Sequence, residues 1–113
     1  MNRSALVYFN DTLAGELRET DTGYEFAYRS EWLSHGDARP VSLTLPLQAE
    51  PYRSTTMFPF FDGLIPEGWL LAVTSDTWKV DRRDRMGLLL VACRDPIGAV
   101  HVRPSEPREE SAP

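Results

Sequence analysis

The 113 residues have room for one domain with a single core and none for a second, catalytic domain. An apolar share of 42% and a charged share of 26% are those of an ordinary globule and exclude disorder over most of the length. A net charge of −5 opposes direct binding to nucleic acid or anionic lipid, and a lone Cys93 excludes an intramolecular disulfide.

Met1 to Ser4 lead straight into an apolar strand pattern, with neither a signal-peptide core nor a membrane span, so the chain reads as cytoplasmic. "ALVYFN" (Ala5 to Asn10) and "TLAGELRE" (Thr12 to Glu19) are β-rich. Asn10 and Asp11 between them suit a tight hairpin because both residue types tolerate positive φ. Gly15, inside the second run, signals a bulge or the close approach of another element. Asp21-Thr22-Gly23 predicts a second turn, after which Tyr24, Phe26 and Tyr28 alternate at the period of a half-buried strand.

Ser30 is the expected N-cap of one helical turn through "EWLSHG", with Trp32 and Leu33 inward and Gly36 closing it. In "RPVSLTLPL" the alternation of Val41, Leu43 and Leu45 predicts a strand bracketed by prolines. Gln48 to Thr56 is polar and proline-broken, hence a loop.

From Met57 the pattern turns helical. Thr56 is the expected cap of a helix through "MFPFFDGLI", with Pro59 in its first turn. Pro66 opens a second helix, "PEGWLLAVTSDTW", with Glu67 at the positive end of its dipole. Asp81, or the residue before it, opens a third, whose Met86, Leu89, Leu90 and Cys93 recur at amphipathic spacing. "IGAVHVRP" alternates again and should return to the sheet as a strand. The fold class is therefore α+β, a small antiparallel sheet (a meander plus a returning C-terminal strand) packed with about three helices. The domain is expected to span residues 1–104, and the acidic tail, 105–113, to be disordered.

Little in this pattern carries chemistry. The seven glycines match no phosphate-binding loop, so no nucleotide cofactor is expected. His35, Cys93 and His101 are far apart in sequence, which gives no metal signature. Cys93 in "LLLVAC" reads as a small buried hydrophobe rather than a nucleophile. Asp62 and Glu67 form a conceivable acid/base pair, but one begins a turn and the other opens a helix, ordinary carboxylate roles. "KVDRRDR" (Lys79 to Arg85) reads as a solvated helix start with local ion pairs, because Asp81 and Asp84 interrupt its basic run. No catalytic residue is assigned.

Trp69 leaves two readings open. Leu70, Leu71 and Val73 follow it, which suits a core residue. Its place in the first turn of a helix beside Gly68 suits a ring projecting from the fold's edge, and tryptophan is enriched among interface hot spots.

"LVYFNDTLAGEL", "GYEFAYRSEWL", "RPVSLTLPL", "FFDGLIPEGW" and "LLLVACRDPIGAVHVRP" stand in the order and spacing of the N-terminal domain of HipA-like serine/threonine kinases, the toxins of bacterial toxin-antitoxin modules. The resemblance covers about residues 5 to 104. The family's ATP-binding loop and catalytic aspartate lie in a following kinase core, so no kinase residue carries over. Gly63 departs from the asparagine usual in the "FFDGLIP" stretch, and Cys93 from a frequent glycine.

The chain also resembles the HipS small subunits of three-gene HipBST modules. That resemblance implies an antitoxin restraining a HipT-like kinase, in a larger complex with a HipB-like helix-turn-helix DNA-binding protein. The kinase-facing residues expected on this reading are Trp69, Gly68, Glu67, Pro66 and Asp62. The alternative is the accessory N-terminal domain of a full-length HipA-type kinase; "PSEPREESAP" reads as a natural chain end, which favours the separate subunit.

Overall fold

The computed structural model describes residues 3–65, 68–92 and 100–105, with the backbone alone at 68–70, 73, 74 and 92. Three strands, β1 (Ser4–Phe9), β2 (Thr12–Thr20) and β3 (Gly23–Tyr28), form the meander the alternation predicts. Asn10 takes φ 54° between β1 and β2, the left-handed geometry that lets Phe9 pair with Thr12 across two residues. Val7 pairs with Gly15 and Tyr8 with Leu13, so Ala14 is an extra residue opposite β1. A Cβ on Gly15 would stand 2.6 Å from the carbonyl oxygen of Ala27 and 2.9 Å from the ring of Phe26. This glycine thus marks both a bulge and a close approach.

Two edge strands complete an antiparallel sheet of order β4-β3-β2-β1-β5, with β4 at Tyr52–Ser54 and β5 at Val100–Pro104. The returning strand is present as predicted over its described part, and Ile97 to Ala99 lie outside the described residues. Of the predicted tail only Ser105 is described, its N–H donating to the Ser4 carbonyl at 3.0 Å.

One face of the sheet makes the core. Ala5, Leu17 and Phe26 are register partners, as are Val102, Val7, Gly15 and Tyr28, and these side chains meet Phe61, Met86, Leu88 and Leu89 from the helices. Phe26 and Phe61 are fully buried with ring centroids 5.3 Å apart. Each such aromatic contributes on the order of 2–3 kcal/mol by burial.

Four helical segments lie among the described residues: α1 (Ser30–Leu33), α2 (Pro59–Asp62), α3 (Gly68–Trp78) and α4 (Arg85–Ala92). Their caps differ from expectation. Arg29, not Ser30, occupies the N-cap of α1, and the helix ends before Gly36. Phe58 rather than Thr56 precedes α2, because Pro59 at the first helical position fixes the entry. Asp84 rather than Asp81 caps α4, accepting the Gly87 N–H at 3.1 Å. Asp81 instead folds the preceding turn, accepting the Arg83 N–H at 2.8 Å.

The expected strand Val41 to Leu45 is absent. The Leu45 N–H bonds the Ser42 carbonyl at 3.0 Å, closing a turn, and the Thr44 N–H bonds the Ser42 hydroxyl at 3.2 Å. The Tyr28 phenol accepts the Val41 N–H at 2.9 Å and donates to the Leu45 carbonyl. Val41 and Leu45 are buried at the turn's two feet, and Leu43 at its tip is 93% exposed. The fourth strand comes from Tyr52 to Ser54 instead, inside the segment expected to be loop.

Candidate functional site

Of the predicted interface residues, Asp62 lies at the end of α2 and Gly68 and Trp69 at the start of α3. Phe61 and Ile65 are buried, while Phe60 and Leu64 pack half-buried against the core, so most of the apolar run from Phe60 holds α2 to the sheet. Asp62 closes α2, and its carboxylate accepts the Arg85 Nε–H at 2.6 Å, tying α2 to the start of α4. With side-chain exposures of 45% and 28% for Asp62 and Arg85, the pair sits at the domain surface. Gly68 and Trp69 are the first two residues of α3. The ring of Trp69, and all of Pro66 and Glu67, lie outside what is described.

A second charged cluster braces the same end of α4 through its cap, Asp84. The Arg3 guanidinium donates to both Glu19 oxygens at 2.8 Å and to Asp84 at 2.6 and 3.0 Å. Hydrogen bonds from Arg3 hold the Glu19 and Asp84 carboxyls below the usual carboxylate range, and both carboxylates raise the Arg3 pKa. The expectation of only local ion pairs in "KVDRRDR" is therefore corrected. Arg83 and Asp81 pair locally, but Asp84 and Arg85 bond residues 81 and 23 positions away. Sequence spacing gives no signal for such pairs.

The histidines stand apart. His35 stacks on Trp32 at 5.4 Å and accepts the Asp37 N–H at 3.0 Å, lining a cleft of about 420 Å³ with Phe9, Asn10 and Arg39. His101 is buried and stacked on Tyr8 at 5.1 Å, and its Nδ1 has no hydrogen-bond partner among the described residues. Burial lowers its pKa, with the Arg103 charge adding to the effect. Cys93 lies outside the described residues. Among the described residues no three His, Cys, Asp or Glu side chains gather as a metal site, and no helix is long and apolar enough to cross a membrane.

Pattern reading also missed the 41–47 loop as a surface feature. Its apolar tip, Leu43, points to solvent, and Leu47 is also exposed. The Tyr52 hydroxyl donates to the Pro46 carbonyl at 2.5 Å, so tyrosines of β3 and β4 pin the loop at both ends. Two serine/threonine hydroxyls alternating with the leucines were the available signal for a turn.

The HipA N-terminal domain family matches residues 5–103. An uncharacterised protein of Haemophilus influenzae is 33% identical over 101 residues, spanning 89% of this chain and 92% of its own length. A putative kinase of Sinorhizobium fredii is 32% identical over 103 residues, covering 88% of this chain but only 24% of the kinase. Among solved structures, the N-terminal domain of HipA toxin superposes with a TM-score of 0.68 at 29% identity, over 94% of this chain and 95% of that one. These matches are to the N-terminal domain and not to a catalytic core.

Proposed function

The chain belongs to the HipA N-terminal domain family, and from that premise we propose that it is an antitoxin that binds and inhibits a HipT-like serine/threonine kinase. One observation carries the reading. The same domain is about a quarter of a putative kinase in one relative and nearly the whole of another. The surface that meets the rest of the chain in a kinase is, on this proposal, offered by the present chain to a separate kinase. On this reading the chain is no enzyme, works in the cytoplasm, and reaches DNA only through a HipB-like helix-turn-helix partner.

The kinase contact on this proposal is made by Trp69 as anchor, together with Gly68, Glu67, Pro66 and Asp62. A ring carried in the first turn of a helix has few rotamers left to lose on binding, which suits an anchor. Co-expression with a HipT-like kinase tests the proposal. The chain should co-purify with the kinase and relieve its toxicity to growth; failure of both refutes it. The second reading, accessory domain of a full-length HipA-type kinase, is supported by the S. fredii relative. A kinase core continuous with this reading frame would decide for it.

A further inference from the structure

Residues 40–49, "PVSLTLPLQA", carry no charged side chain, in a chain of which 26% is charged. Cores of protein interfaces are depleted of charge in the same way, because desolvating a charge opposes association. The segment is also held at both ends where it projects. Its feet, Val41 and Leu45, are buried and joined through one phenol, Tyr28, and the exit at Pro46 is held by Tyr52. Between them Leu43 stands 93% exposed, while Ser42 and Thr44 satisfy each other at 2.8 Å. An isolated exposed leucine needs no explanation. An uncharged loop pinned at both ends to present one has less entropy to lose on binding than a free loop.

We propose that this loop docks on the kinase partner, with Leu43 entering an apolar pocket on it; this rests on the kinase-binding reading above. The length of the relatives argues for this occupant: the matched region is 24% of a putative kinase, so the same domain there has further chain to pack against. The loop is a second contact, set on β3 and β4 and independent of α3.

The test measures affinity of the full chain for a HipT-like kinase beside denaturant melts of the free chain. Leu43→Ser and Leu43→Asp should each weaken binding by at least about tenfold, and Leu43→Met by less than about threefold. None should move the melt, since the side chain is already in water. A complex whose affinity Leu43→Asp leaves unchanged overturns this proposal while the kinase-binding reading stands. No complex at all overturns both. Self-association of the chain abolished by Leu43→Asp, with kinase binding unaffected, would make the occupant a second copy and also overturn it.

Discussion

Arg3 and Asp84 meet through two hydrogen bonds, 2.6 and 3.0 Å, across 81 residues of sequence, and so fasten the start of β1 to the cap of α4. Glu19 on β2 completes the clamp. Both carboxyls titrate below their ordinary range because of Arg3. Their contribution to stability is thus fully present above the unfolded carboxylate range and is lost as pH falls through the lowered folded values. Arg3→Ala should cost about 1–2 kcal/mol at neutral pH, a figure discounted for the partial exposure of the guanidinium. It should also flatten the acid limb of the stability curve, measured by urea melts between neutral and strongly acidic pH.

Tyr28→Phe removes the phenol that serves both feet of the 41–45 turn. The Val41 N–H is left buried without its acceptor, for an expected loss of about 1–3 kcal/mol. Burial pushes the Tyr28 pKa up from 10.0 to about 12. Stability that depends on the neutral phenol is therefore complete below 10 and lost as pH rises towards 12, and the mutant should lack this alkaline decline. Denaturant melts of both proteins across that range check it.

Gly15→Ala should destabilise the domain by about 1–3 kcal/mol, since the new methyl would press on the backbone carbonyl of Ala27 in the neighbouring strand as well as on Phe26. A backbone neighbour in a paired strand has no rotamer by which to move aside. Thermal melting of the variant gives the answer.

Legibility of the sequence divides at this sheet. The meander was readable because its turn residues and its alternation agree: Asn10 takes the left-handed turn and Phe26 and Tyr28 face the core. Val41, Leu43 and Leu45 alternate as well, but the turn buries only its feet, Val41 and Leu45, and the Leu43 that completes the strand period stands exposed; the tyrosine that joins the feet is distant in sequence. Tyr52–Ser54 escaped because three residues are too few to show a period. Asp62 was expected to begin a turn and Arg85 to stand in a helix start, and only their pairing was illegible, because an ion pair between elements leaves no trace in spacing.

The kinase-binding account turns most directly on Trp69. The measurement is phosphorylation by a HipT-like kinase titrated with the purified chain or with Trp69→Ala, each variant also melted alone in denaturant. The account predicts saturable inhibition by the parent chain. It predicts binding weaker by about 2–4 kcal/mol for the mutant, with its own stability changed by less than about 1 kcal/mol. Kinase activity unaffected by the parent chain would contradict it, and so would a mutant that loses roughly 3–5 kcal/mol of stability, the cost of emptying a core site.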